Sequence, residues 1–303
     1  MATLGNAHEF VLLVGDNPFH GISHLSQERA RARSTEAALP EKAAKLIMVS
    51  HENGANGFMF SVSETTLAIL RKIREAGKLG ELELHAIVPY AFEYVRVATQ
   101  TGTPGLVRRF AKQIAVSGNI RTMGVGLSAV MKADPKALLE TYLSYELARI
   151  KSAAKHEKPA SILLHEVVTD LSLGLDLRWL FESYIRFMVK HGIMPGFNTR
   201  NFPYLVKRFK EWSIDLTQTL IATPFNKVGF QMNPSKAECE QTLKDMPKPN
   251  VFAISILAAG YVPTREAVEY VAGLPNIKGV SIGVSKEKHA VETFKLLKEK
   301  FLS

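Results

Sequence analysis

The stretches SILLHEVV at residues 161–168 and VFAISIL at residues 251–257 decide the fold class of this 303-residue chain. Each is a continuous, largely apolar run of strand length. Such runs are typical of parallel strands that are buried on both faces. Amphipathic segments of helix length separate these runs from similar runs elsewhere in the sequence. Strands that alternate with helices predict βα units and a parallel sheet.

Eight segments fit the strand pattern, at residues 11–15, 57–61, 84–89, 161–167, 194–198, 219–223, 252–257 and 279–283. The predicted helices between them carry start and stop signals, such as Pro40 at the start of one helix and Gly77 after the end of another. Barrels of about 250 residues commonly form one domain. The pattern therefore predicts an α/β fold in which residues 1–303 form a single (β/α)8 TIM barrel.

Two predicted connections are longer than a minimal barrel needs. A basic loop at residues 19–39 follows the first strand. Roughly 70 residues separate the third and fourth strands, where a simple βαβ unit needs about 30. They hold predicted helices near residues 104–117 and 135–156, with residues 120–130 between them as an extra strand or a loop. Enlarged loops after barrel strands commonly carry function.

Composition narrows the class of protein. Apolar residues make up 46% of the chain and charged residues 22%, as in an ordinary globular protein. No apolar run approaches the ~20 residues that cross a bilayer, and the sequence begins without a secretory leader pattern. The single cysteine, Cys239, excludes an intramolecular disulfide. We therefore expect a soluble protein of the reducing cytoplasm.

The net charge of +9 is compatible with anionic ligands, including nucleic acid. The basic residues are spread along amphipathic helices, however, and no RNA-binding motif or compact basic arm is present. Solvated helix faces are the favoured interpretation. We expect a small, anionic substrate as the partner, and neither a membrane nor a nucleic acid.

An ordered series of motifs resembles the aldo-keto reductases. The motifs are SILLHEVV, HGIMPGFNTRNF, TPFNKVGFQMNP, VFAISILAAGY and IKGVSIGVSKEKHAVETFKLL, with the earlier GANGFMFSVSETTLAIL similar to the second-strand region of that family. The resemblance covers about half of the chain and mainly its C-terminal part. It implies a TIM barrel and a site for NADP, and it makes His165 the counterpart of the family's catalytic histidine.

The catalytic set of that family departs from this sequence. The family uses an Asp, a Tyr, a Lys and a His. Here Ser61 stands where the Asp would end the second strand, no Tyr follows at the family's spacing, and the predicted third strand has no Lys. Because the family's Tyr acid needs the Lys to lower its pKa, the resemblance supports the fold more than the reaction.

Polar residues cluster where the predicted strands end. Asp16 and His20 follow the first strand, His165 lies in the fourth, and Arg200 follows the fifth. Histidine titrates near neutrality and can act as an acid or base, whereas the arginine fork suits a carboxylate or phosphate. We predict these four as catalytic, with His165 as the acid/base. A cap at Asp16 and a buried structural His165 stay open, and periodicity does not decide whether His165 or Glu166 faces the barrel interior.

A second group predicts a site for a cofactor or a phosphate. It consists of Asn198, Gly260, Gly283, Ser285 and Lys286. Barrels often bind phosphate at the loops after the seventh and eighth strands and at the next helix N-terminus. The resemblance implies that this region holds the phosphates of the cofactor. Tight turns at the glycines and a helix cap at Ser285 are the alternatives.

Two further possibilities concern metal and Schiff-base chemistry. His20 and His24 would share one helical face at a spacing of four, and imidazole suits Zn, Fe or Ni. They predict, with His165, an alternative metal-dependent lyase, isomerase or hydrolase. Lys227 could form a Schiff base if it were desolvated, although a solvated loop lysine is favoured. The cofactor stays open, with NADP and a divalent metal as the candidates, and so do the substrate, the reaction and the oligomeric state.

Overall fold

The computed structural model describes residues 10–20, 39–89, 134–247 and 249–302. Eight parallel strands close into one barrel in chain order, so the predicted TIM barrel is confirmed. The strands are β1 (Val11–Gly15), β2 (Gly57–Ser61), β3 (Glu83–Val88), β4 (Ser161–Leu164), β5 (Met194–Asn198), β6 (Leu220–Pro224), β7 (Val251–Ile254) and β8 (Ile277–Gly283).

Nine α-helices surround the barrel in the described part of the chain. They are α1 (Pro40–Glu52), α2 (Glu64–Glu75), α3 (Pro135–Ala154), α4 (Glu166–Gly174), α5 (Arg178–Lys190), α6 (Phe202–Glu211), α7 (Lys236–Lys244), α8 (Thr264–Ala272) and α9 (Glu287–Phe301). Local sequence explains several starts: the Ser63 hydroxyl accepts from Thr66 N at 3.2 Å before α2, and Asp134 caps α3. None of the helices described is long and apolar enough to cross a membrane.

The strands are buried on both faces, which explains their continuous apolar runs. Side chains alternate along each strand, so Leu13 points into the barrel while Leu12 and Val14 pack against the helices. The hydrophobic residues that fill the interior are Val11, Leu13, Met59, Ile87, Leu163, Leu220, Ala222 and Phe252. The interior is therefore a packed core, as the size of an eight-stranded barrel requires.

Phe252 is the largest side chain of this interior layer, and glycine makes room for it. A Cβ atom on Gly279 would lie 2.8 Å from the Phe252 ring. The edge of His85 packs on the same ring, with centroids 5.2 Å apart, and His85 Nδ1 lies 2.8 Å from Ser161 Oγ. The interior therefore combines an apolar layer with a buried polar pair.

The fourth strand is shorter than the sequence predicts. We expected a strand over residues 161–167, but β4 ends at Leu164 and α4 begins at Glu166. A short apolar run such as SILLHEVV fits both a buried strand and a buried helix, and periodicity alone does not separate them. His165 caps α4, and Glu166 in the first turn suits the positive end of the helix dipole. The predicted strand residues Glu166 and Val167 are therefore helical.

The other predicted boundaries are confirmed closely. Strands β1, β2 and β5 have the predicted bounds, and the seventh strand is shorter at its end because Ser255 turns the chain with a φ of 54°. The helix predicted near residues 104–117 and the segment at residues 120–130 lie outside the described residues. So do His24 and most of the loop after β1.

We expect a glycine-to-alanine change to destabilise the protein in the barrel wall but not at an exposed helix end. A Cβ on Gly57 would lie 2.6 Å from the Glu83 carbonyl oxygen, and backbone cannot move aside, whereas Gly174 has nothing within 4 Å. Gly57→Ala should destabilise the protein by about 1–3 kcal/mol. Gly174→Ala should be neutral or stabilise it by up to about 1 kcal/mol. Urea unfolding of both variants checks this, and equal midpoints would contradict the close packing.

Candidate functional site

The carboxyl ends of the eight strands form one rim, because every strand runs in the same direction. The residues predicted to be functional lie at the ends of β1, β4, β5, β7 and β8. Those within the described chain are Asp16, His20, His165, Asn198, Arg200, Gly260, Gly283, Ser285 and Lys286. The fold thus brings residues that are distant in sequence to the same end of the barrel.

Asp16 places a buried carboxylate on this rim. The residue is only 5% exposed, and its Oδ2 accepts a hydrogen bond from the backbone N of Ser61 at 2.6 Å. Ser61 is the last residue of β2. A carboxylate supplied by the first strand therefore lies at the end of the second strand, although that strand itself ends in serine.

His20 forms a pair with this carboxylate. It ends a short 3-10 helix (Asn17–His20), and its Nε2 lies 3.0 Å from Asp16 Oδ2. Both side chains are almost fully buried, with exposed fractions of 4% and 6%. A carboxylate beside an imidazole fixes the orientation of the ring. Asp16 and His20 therefore form an oriented dyad at the rim.

His165 faces the barrel interior. Its backbone N still bonds to Val88 O at 2.7 Å, so it extends β4 by one residue. Leu163 belongs to the interior layer, and alternation then directs His165 to the same side. Its Nδ1 accepts from Val167 N at 3.2 Å. The neutral ring must therefore carry its proton on Nε2, which leaves Nε2–H as the donor.

Charges from three strand ends act on this imidazole. Burial lowers the pKa of His165 from its ordinary value, and Arg200 lowers it further, whereas Glu166 and Asp16 raise it. Burial is the largest of these effects, so the neutral form is favoured. Because Asp16 follows β1 and Arg200 follows β5, their influence on His165 indicates one shared site.

Arg200 is held by two carboxylates of α4. Its guanidinium forms an ion pair with Glu166, and its backbone N donates to Asp170 Oδ2 at 3.0 Å. Thr199 Oγ1 donates to the other oxygen of Asp170. Sequence reasoning missed Asp170 because it missed α4. A helix over residues 166–174 would have placed both carboxylates, four residues apart, on one face.

Asn198 offers an unpaired acceptor at the end of β5. The residue is 6% exposed, and its Oδ1 is buried without a hydrogen-bond partner among the described residues. Leaving a buried acceptor unpaired costs about 1–3 kcal/mol. Such a group at the end of a strand suits a donor from a ligand.

Backbone conformation and close packing explain why glycine occupies position 260, after β7, and position 283, at the end of β8. Gly260 has a φ of 88° and follows Ala258 and Ala259, which also have positive φ. A Cβ on Gly283 would lie 2.8 Å from Pro18 Cδ, so glycine lets the loop after β1 pack on the end of β8. These contacts leave a ligand role for both glycines as a prediction.

The cap predicted as an alternative role for Ser285 is not observed. Helix α9 begins at Glu287, and Lys286 occupies the capping position without a side-chain hydrogen bond. Ser285 lies one residue earlier, in the connection from β8. A role for Ser285 and Lys286 in binding an anion stays a prediction.

The Schiff-base and metal predictions gain no support from these contacts. Lys227 Nζ lies 2.7 Å from Glu266 Oε2, and this pair raises the pKa of Lys227, opposite to the shift that a nucleophilic amine needs. Within the described ranges, no group of three or more His, Cys, Asp or Glu side chains is arranged to hold a metal. Since His24 lies outside them, the metal site stays a prediction.

Comparison with known proteins supports the fold. No family model and no curated protein matches the chain. Two solved structures from Pseudomonas aeruginosa, each assigned as an aldo-keto reductase, match 98% of this chain and 96% of their own, with TM-scores of 0.59 and 0.60 and identities of 12% and 11%. An aldo-keto reductase from Bacillus halodurans in its holo form gives a TM-score of 0.58 at 11% identity, over 98% of this chain and 90% of its own. The chain therefore shares the TIM-barrel fold of these aldo-keto reductases.

We expect NMR titration to report the charges around His165. Its pKa should lie below about 6.5. Asp16→Asn removes a negative charge and should lower it further, and Arg200→Gln should raise it, because their charges act in those directions. Asp245→Asn, an exposed change at the end of α7, should leave it unchanged. A His165 pKa that did not respond to either rim variant would rule out the shared site.

The lowered pKa of His165 also predicts how the stability of the protein changes with pH. A depressed pKa means that the unfolded state binds the proton more tightly. The contribution of neutral His165 to folding is therefore complete above about pH 6.5 and is lost as the pH falls below that value. Urea unfolding at several pH values measures the free energy of unfolding of the wild type and of His165→Gln. Below about pH 6.5, this free energy should change less steeply with pH in the variant than in the wild type.

Proposed function

We propose that this protein is an enzyme that binds a small polar or phosphorylated molecule at the rim, with His165 as its acid/base. The observation that carries the proposal is the neutral, interior-facing imidazole of His165, whose Nδ1 is occupied and whose Nε2 is left as the donor. Barrels of this kind place their chemistry at the strand carboxyl ends. The fold and the rim therefore point to the same site.

The arrangement suits a reaction in which negative charge develops on a substrate oxygen. A fixed Nε2–H donor stabilises such an oxygen, and when Nε2 passes its proton to that oxygen the ring takes a proton back from solvent. The Asp16–His20 dyad supplies a second proton carrier on the same rim. Arg200, whose side chain is 40% exposed, can bind a carboxylate or phosphate of the substrate. A carbonyl compound with an anionic group fits these three elements.

An NADP-dependent oxidoreductase is the second candidate. The fold shared with aldo-keto reductases and the unpaired Oδ1 of Asn198 favour it, since a carboxamide N–H would satisfy that acceptor. NADPH, when bound, would supply the hydride that reduces a carbonyl carbon. The oxygen left behind needs a proton, which His165 could supply in place of the absent tyrosine. The loops at Gly260 and residues 283–286 would hold the phosphates.

The proton-transfer proposal is tested without a cofactor. The probes are two small ketones, the phosphorylated dihydroxyacetone phosphate and the uncharged dihydroxyacetone. We expect the wild type to catalyse exchange of the α-proton of at least one of them in D2O, measured by 1H NMR. His165→Gln should slow exchange by about 100-fold or more. His156→Gln, an exposed histidine after α3, should not change it. A His165 variant that kept the wild-type rate would remove the assignment.

The cofactor proposal is tested by fluorescence titration with NADPH. The wild type should bind it with a micromolar Kd, and Asn198→Ala should weaken binding by about tenfold, the effect of one buried hydrogen bond. Asn250→Ala, which removes a bond to Thr217 at the opposite end of the barrel, is the matched control. Absence of binding at millimolar NADPH would exclude this candidate while leaving the proton-transfer proposal intact.

A further inference from the structure

We propose that Asp170 is a positioning residue that fixes Arg200 and the loop after β5 relative to His165, an inference that rests on the proposed function. Asp170 lies in α4 and not in a barrel strand, and we assign it no part in proton transfer. It acts through the residues that it holds.

Helix α4 joins the acid/base residue to the two carboxylates that bind the next loop. His165 is its capping residue, Glu166 is its first residue, and Asp170 lies one turn further on. Residues four apart share a helix face. Val167 and Leu171 lie about 100° further around the helix and are 57% and 60% exposed. The face of α4 with Glu166 and Asp170 therefore contacts the loop after β5, and the face beside it is exposed to solvent.

Both carboxylate oxygens of Asp170 are used by this loop. Thr199 Oγ1 donates to Oδ1, and Arg200 N donates to Oδ2 at 3.0 Å. Thr199 Oγ1 in turn accepts from Asn201 N at 3.0 Å. One carboxylate thereby fixes three consecutive residues directly after Asn198. Burial raises the pKa of Asp170, while its two hydrogen bonds lower it.

The neighbouring loop shows what a purely local solution looks like. After β6, Asn226 closes its own loop, because its Nδ2 donates to Phe230 O at 2.8 Å and its Oδ1 accepts from Phe230 N at 2.7 Å. That neutral side chain holds only its own segment. The loop after β5 is held instead by Asp170, a residue of α4, the helix that His165 caps. The link thus runs between two parts of the proposed site.

This link matters for how Arg200 recognises a substrate. Asp170 holds the backbone of Arg200, and Glu166 holds its guanidinium. With the backbone fixed, the guanidinium can exchange Glu166 for a substrate carboxylate or phosphate while its distance from His165 is preserved. Catalytic rates are sensitive to displacements of about 1 Å, so a fixed loop preserves the reacting geometry.

The test compares Asp170→Ala with Asp170→Asn. Asparagine keeps an acceptor for Arg200 N and a polar partner for Thr199, whereas alanine removes both. We expect Asp170→Ala to weaken binding of inorganic phosphate, measured by calorimetry, by about tenfold or more, and Asp170→Asn by less than about threefold. Thr199→Val removes only the hydrogen bonds of the Thr199 hydroxyl within this clamp, by which we mean Asp170 and the residues 199–201 that it holds. This variant covers the case in which the alanine variant does not fold.

The pKa of His165, measured by NMR titration, separates the two possible roles of Asp170. A residue that only stabilises the fold would leave this pKa unchanged when it is replaced. Arg200 lowers the pKa of His165 in the wild type, so a displaced Arg200 should raise that pKa in Asp170→Ala and in Thr199→Val, whereas Asp170→Asn should leave it nearly unchanged. Unchanged phosphate affinity and an unchanged His165 titration, with only stability reduced, would overturn the proposal. If the wild type neither binds phosphate nor catalyses exchange while His165 still responds to Asp170→Ala, the positioning role stands and the proposed function fails.

Discussion

Closure of the barrel depends on β1, which pairs in parallel with both β2 and β8. This ring brings Gly15 beside Met59 on one side and beside Gly283 on the other. The residues that follow each strand therefore meet, although hundreds of positions can separate them in the sequence. The packed interior around Phe252 keeps the ring rigid. Every contact of the candidate site depends on this arrangement.

The fold could be predicted from the sequence because buried parallel strands carry a strong signal. β1 and β2 are largely apolar runs, and the bounds of β1, β2 and β5 were predicted correctly. The fourth strand was harder, since its apolar run continues past His165 into a helix of similar hydrophobicity. The end of this strand is set by tertiary contacts. The backbone N of His165 bonds to Val88 O, and the His165 ring caps α4.

The site could be predicted as a set of residues but not as a set of contacts. Asp16, His165 and Arg200 stand out as polar residues beside strand ends. The bond from Ser61 N to Asp16 depends on the register between β1 and β2, which no local pattern encodes. The clamp around Asp170 depends on how α4 packs beside the loop after β5. Such contacts join segments that are far apart in the chain, so single-sequence reasoning does not reach them.

The cap at the start of α4 has a consequence for acid conditions. His165 accepts the Val167 N–H through Nδ1, the one ring atom at which the neutral imidazole can gain a proton. Protonation therefore removes the lone pair that holds the first turn of the helix. The same event places a positive charge beside the positive end of the helix dipole. Proton uptake by His165 and loss of this capping hydrogen bond are thus coupled, which ties the start of α4 to the charge of His165.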